Sequence, residues 1–175
     1  MKKKIVARII IAFFLLVFTT IILYKRNQPP DFIKKMVMDN KTFYDGVADF
    51  YYNDFKEHKD GNEVLAYSFI DGDTVYCYSD PETRRIHLDD DEVRMFSMVD
   101  SSYYVDDKNV ERVYVYDDYV SFCNIDGRIS IVYSAGDMKP KWVGTPNDQE
   151  KNISAVRITE NWYYVEWTDK LFHLY

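Results

Sequence analysis

Two cysteines, three histidines and 29 acidic residues make up the reactive inventory of this chain. A nucleophilic cysteine works as a thiolate, which needs a base or a positive field beside it. Neither Cys77 nor Cys123 has such neighbours in sequence, and both fall in strand-like stretches. Two buried free thiols packed as small hydrophobes are the first expectation. The alternative is a Cys77–Cys123 disulfide, which an oxidising compartment would permit. Closing a loop of that length would stabilise by about 3–4 kcal/mol in the chain-entropy picture.

His58, His87 and His173 are widely separated and form no H-x-x-x-H ligand pair. The acids cluster at Asp71/Asp73, Asp89–Asp91, Asp106-Asp107 and Asp117-Asp118. A calcium loop alternates its ligands as D-x-[DN]-x-[DN]-G, and Asp71-Gly72-Asp73-Thr74-Val75 lacks both the third ligand and the glycine. Aspartate is favoured at turns and helix starts for local reasons, and these clusters fall there. Ser134 has no glycine two residues before it, so it is no nucleophile elbow. A carboxylate pair for glycoside cleavage cannot be singled out among so many acids. The expectation is therefore no catalytic residue, no metal and no cofactor, and a chain that leans away from being an enzyme.

The elements begin with an apolar run. Ile5 to Tyr24 is interrupted only by Arg8, and about 20 helical residues match a hydrocarbon core of about 30 Å. Arg8 can snorkel, Lys25 and Arg26 close the other side, and Pro29-Pro30 stops a helix. The run lacks the small residues of a cleavage site, which favours an uncleaved anchor over a signal peptide. Lys2, Lys3, Lys4 and Arg8 lead the run, and the positive-inside bias places that end in the cytoplasm. The expected organisation is a cytoplasmic tail at 1–4, a transmembrane signal-anchor helix at 5–24, a linker at 25–30 and an extracytoplasmic globular domain at 31–175. Without those four bases the chain keeps 18 basic against 29 acidic residues, a net −11. Phosphate backbones would repel such a domain, which argues against nucleic-acid binding.

Within the domain, Phe32, Met36, Phe43, Val47, Tyr51 and Phe55 recur at steps of four or seven, predicting one amphipathic helix over 31–59. Asp31 is its expected N-cap, Gly61 its stop, and Gly46 the place for a break. From residue 63 the period falls to two. Strands are predicted at Glu63–Ile70, Thr74–Ser79, Arg84–Leu88, Val110–Tyr116, Tyr119–Ile125, Arg128–Tyr133, Ser154–Ile158, Trp162–Trp167 and, as a short addition, Leu171–Tyr175. Asp71-Gly72 signals a type I′ hairpin, with further turns at Asp117-Asp118 and Asp126-Gly127. Asp89–Glu92 ahead of Val93, Phe96 and Val99 suits a short helix, though a strand fits Met95–Met98 as well. The fold class is α+β: an amphipathic helix on an antiparallel sheet of about 6–8 strands.

Phe122, Gly127, Ile131-Val132-Tyr133-Ser134, Gly136, Pro140 and Trp162-Tyr163-Tyr164 together resemble the closing half of small bacterial proteins that carry an N-terminal membrane segment. The resemblance implies the sheet and the location, and no activity.

Strand parity offers one further clue. Val75 and Cys77 oppose Tyr76 and Tyr78, and Val113 and Val115 oppose Tyr114 and Tyr116. One face is then aliphatic and the other rich in tyrosine. Either the first and middle helices divide between the two faces, or the tyrosine face is open to a partner. The candidate partner surface is Tyr76, Tyr78, Tyr114, Tyr116, Trp162 and Tyr164. The leading expectation is a non-enzymatic, membrane-tethered module binding an envelope protein or wall component. The alternatives are an envelope hydrolase assembled only in the fold, and a protective protein of immunity type.

Overall fold

The computed structural model describes residues 10–20, 28–78, 83–102, 110–124, 129–141 and 153–167. Four helices and an eight-stranded antiparallel sheet make up the α+β fold. The helices are α1 (10–20), α2 (Asp31–Asp39), α3 (Lys41–His58) and α4 (Asp90–Ser102). The strands are β1 (Leu65–Asp71), β2 (Thr74–Tyr78), β3 (Thr83–His87), β4 (Val110–Val115), β5 (Tyr119–Asn124), β6 (Ile129–Ser134), β7 (Ile153–Thr159) and β8 (Trp162–Trp167). They lie in the order β3-β2-β1-β4-β5-β6-β8-β7, so β3 and β7 are the edges.

The expected single helix is two. Asn40 sits at φ −115° and ψ 18°, outside helical geometry, and both its backbone N–H and its side-chain amide donate to the Met36 carbonyl. Its own carbonyl accepts from Phe43 and Tyr44, so one residue closes α2 and opens α3. Gly46 is not the break. A Cβ there would lie 2.2 Å from Met95 Sδ, so the bare backbone is what lets α4 approach α3. The separation also changes the buried face of α2, which is Ile33 and Val37, while Phe32 is 54% exposed. In α3 the buried set is Tyr44, Val47, Ala48, Tyr51 and Phe55. Pro30, rather than Asp31, occupies the N-cap of α2. After α3, Asp60 and Gly61 both take positive φ.

α4 is a helix, and its start follows from sequence. The Asp89 carboxylate accepts from Glu92 N at 2.8 Å and Glu92 reaches back to Asp89 N at 2.9 Å, a reciprocal capping box. The β1–β2 turn also departs from expectation. Asp71 pairs with Thr74, so the loop is Gly72-Asp73, and only Gly72 has positive φ, the pattern of a II′ turn. The Asp126-Gly127 turn, the Leu171–Tyr175 strand and the apolar residues 5–9 and 21–24 fall outside the described residues.

α2, α3 and α4 all contribute to one core on one sheet face. Its largest fully buried side chains include Trp162, Tyr44, Tyr51, Tyr67, Phe55 and Phe122. These rings meet edge-on or tilted, as with Tyr44–Trp162 at 5.4 Å and Tyr51–Tyr67 at 4.9 Å between centroids. A second cluster on the opposite face contains Tyr116, Tyr119, Val132, Ala155, Tyr163 and Val165, with no residue from a described helix. The helices therefore do not divide between the faces.

α1 is different in kind. Ile10, Ile11, Phe13, Phe14, Leu15, Leu16, Val17 and Phe18 are 37–66% exposed. The hydroxyls of Thr19 and Thr20 donate to the Leu15 and Leu16 carbonyls, one turn back. Among the described residues no helix is long and apolar enough to cross a membrane.

Candidate functional site

The six candidate surface residues separate by face. Trp162 pairs with Tyr133 and Tyr164 with Ile131, and both are buried in the helix-side core. Tyr116 is also buried, 3% exposed, in the second cluster, where its ring lies 4.6 Å from that of Tyr119. Tyr76, Tyr78 and Tyr114 remain together at the β3 end of the outer face. Ala66 pairs with both Tyr78 and Tyr114, and Ser68 pairs with Tyr76. Two small side chains thus lie among three tyrosines, of which Tyr78 is 39% exposed. Arg85, opposite Tyr76 on the edge strand, places its guanidinium 5.5 Å from the Tyr76 ring centroid, a cation–π contact. Arg85 escaped the sequence reading because its partner ring lies on a neighbouring strand.

The cysteines do not come together. Cys77 belongs to the helix-side core and Cys123 points to the other face. β2 and β5 are three strand spacings apart, about 14 Å, and both thiols are free. Cys123 Sγ lies 3.0 Å from Ser130 Oγ and 3.4 Å from Ser121 Oγ in a buried polar row. Burial pushes the Cys77 thiol up, an effect that the neighbouring Tyr67 and Arg84 only partly offset, so it stays a neutral thiol.

Beside Cys77 lies a cluster that the sequence did not reveal. Asp54, on the last turns of α3, accepts from the Tyr67 hydroxyl at 2.8 Å and from the Arg84 guanidinium. His58 Nδ1 lies 3.3 Å from its other oxygen. Only the Asp54–His58 step of four was local enough to read. Burial raises the Tyr67 hydroxyl far above its ordinary range, with Cys77 and Asp54 adding to it. The cluster has acid, base and thiol, but its carboxylate is engaged in holding α3 to β1 and β3, and His58 contacts it from the same helix. Asp45 and Asp49 act alike farther up α3, accepting from Trp162 Nε1 at 2.8 Å and from the Tyr133 hydroxyl at 3.4 Å.

The remaining candidates are dispersed. His87 ends β3, exposed, and His173 lies outside the described residues, as do Asp106-Asp107. Asp89 caps α4, and Asp117 binds Lys59 and, through its carbonyl, Tyr52. Asp137 at φ 50° holds the β7–β8 turn by accepting from Asn161 N, Tyr163 and Arg157, which lowers its carboxyl below the usual range. Among the described residues no three His, Cys, Asp or Glu side chains are placed to hold a metal. One cavity, lined by Tyr51, Phe69, Phe96, Asp100 and neighbours, has room of about 20 Å³, about one water.

No family model matches the chain, and no curated protein or solved structure matches it either.

Proposed function

We propose that this protein is a membrane-tethered binding module: α1 is the described part of a bilayer anchor, and the α+β domain acts outside the cytoplasm. The observation that carries the tether is α1 itself. Its apolar side chains are exposed around the helix, and its two hydroxyls are satisfied by its own backbone. A helix apolar on all sides needs an apolar surround, and internal satisfaction of polar groups is what a bilayer demands. The apolar sequence continues on both sides of it, from Ile5 to Tyr24.

The patch formed by Tyr76, Tyr78 and Tyr114 with Arg85 is the surface we assign to the partner, an envelope protein or wall component. Tyrosine and arginine are over-used at recognition surfaces because they offer apolar area with a polar tip. The test is crosslinking of the full-length protein in intact cells, followed by affinity purification. One stoichiometric partner, lost in the Tyr76→Ala/Tyr78→Ala/Arg85→Ala variant but kept in a Glu57→Ala control, supports the assignment. Retention of the partner by the triple variant refutes the surface. Recovery of the protein from the soluble fraction after lysis refutes the tether.

A further inference from the structure

α2 presents two faces, and only one of them is used by the domain. Ile33 and Val37 are fully buried in the helix-side core. On the outward side Phe32 is 54% and Met38 52% exposed, with Asp31, Lys35 and Asp39 exposed between them and Lys34 beside Met38. A phenylalanine and a methionine flanking lysines on a surface helix would be unremarkable far from a membrane. Here the chain itself limits the distance. The apolar run ends at Tyr24 and α2 begins at Asp31. The seven steps from Tyr24 to Asp31, fully extended, reach at most about 25 Å.

We infer that α2 is the foot of the domain, lying on the bilayer surface beside the anchor with Phe32 and Met38 in the headgroup region. This rests on the tether proposed above. Lys34 and Lys35 can lay their stems along the apolar boundary and keep their ammonium groups at the phosphates. Asp31 and Asp39 make the helix neutral overall, so apolar insertion, rather than attraction to anionic lipid, carries the contact. With Ile33 and Val37 locked into the core, the foot would fix the orientation of the whole domain over the membrane.

The test uses the full-length chain in nanodiscs of phosphatidylcholine and phosphatidylglycerol, with p-benzoylphenylalanine replacing one residue at a time. Phe32 and Met38 are tested, Leu16 reports the anchor, and Tyr78 is the exposed control. Both test positions are half exposed, so the substitutions leave the core intact. We expect photo-adducts to lipid at 16, 32 and 38, each about ten-fold above position 78. Lipid adducts at 16 without any at 32 and 38 overturn the foot and leave the tether standing. Absence of lipid adducts at 16, 32 and 38 overturns both. Adducts from 32 and 38 to a second copy of the chain would make this face a protein interface and likewise overturn the inference.

Discussion

Replacing Asp54 with alanine is the most informative single change, because three elements converge on its carboxylate. The carboxylate is 11% exposed and accepts from Tyr67 and from Arg84, whose side chain is 34% exposed. Removing it leaves a buried phenol without its acceptor and a half-buried guanidinium without its counter-charge. A stranded buried donor costs about 1–3 kcal/mol. Breaking a fully buried ion pair costs about 3–5 kcal/mol, and the exposure of Arg84 brings its share nearer 1. The expected loss for Asp54→Ala is therefore about 3 kcal/mol, or a fall in Tm of about 6–12 °C for a domain of this size. Arg84→Ala should cost less, about 1 kcal/mol, because Asp54 keeps Tyr67 and His58 beside it. Tyr67→Phe should also cost about 1 kcal/mol, the net worth of one hydrogen bond. Urea unfolding of the three variants in detergent, followed by tryptophan fluorescence, gives the ranking. If Arg84→Ala proves as costly as Asp54→Ala, the carboxylate is not the hub and the reasoning fails.

Further predictions concern packing, protonation and the thiols. Gly46→Ala gains helix propensity of about 1 kcal/mol but drives a Cβ into Met95 Sδ, which costs about 1–3 kcal/mol. The net change should be destabilising, and pairing it with Met95→Ala should show a coupling well above the roughly 0.5 kcal/mol scatter of independent sites; simple additivity in that cycle would contradict the close approach. Burial raises the Asp100 carboxyl, so the native state favours its protonated form and this group's contribution falls as pH rises through the carboxylate range. Asp100→Asn should then stabilise at neutral pH and lose that advantage in acid, whereas Asp137, whose carboxyl is lowered, should give Asp137→Asn the opposite trend. In thermal melts from neutral to acid pH, a variant line parallel to wild type would show that the shift is absent, and a line diverging the other way would show that its sign is wrong. Both thiols should resist an aromatic disulfide reagent in the native protein and react fully in denaturant, and mild oxidation should give no intramolecular bridge; a mass loss of two hydrogens in the native monomer would refute the opposite-face placement.

The sheet was legible because its signals are local. Alternation marks each described strand to within a residue or two, and Asp89, one of the acids that invited a calcium reading, is a cap residue. The outward tyrosines of β2 and β4 followed from parity alone. β8 did not, because both its faces are aromatic, and only pairing of Trp162 with Tyr133 assigns that ring to the helix side. Helical phase was lost at Asn40. A four-residue step carries Phe32 and Met36 into register with Phe43 only if one helix runs unbroken. Once it breaks, Ile33 and Val37 turn inward and Phe32 turns out. The Asp54 cluster was not legible, since Tyr67 and Arg84 lie 13 and 30 positions away.

The distribution of hydrogen-bond donors distinguishes the closed helix side from the proposed partner surface. On the helix side, the polar tips of Trp162, Tyr133 and Tyr67 are each taken up by an aspartate of α3, at positions 45, 49 and 54. Burial and the neighbouring Asp49 and Asp45 accordingly push the Tyr133 hydroxyl up to about 12. That side is closed: its aromatic surface is packed and these three donors are spent. On the outer side near β3, the hydroxyls of Tyr76, Tyr78 and Tyr114 make no hydrogen bond among the described residues. They flank Ala66 and Ser68, where a partner can come close to the sheet without displacing a large side chain. Adjacent residues of β3 serve both sides, since Arg84 ties the strand to Asp54 while Arg85 faces Tyr76. Loosening the Asp54 cluster should therefore weaken binding at the proposed partner surface, which it never touches, by freeing the edge strand that carries Arg85.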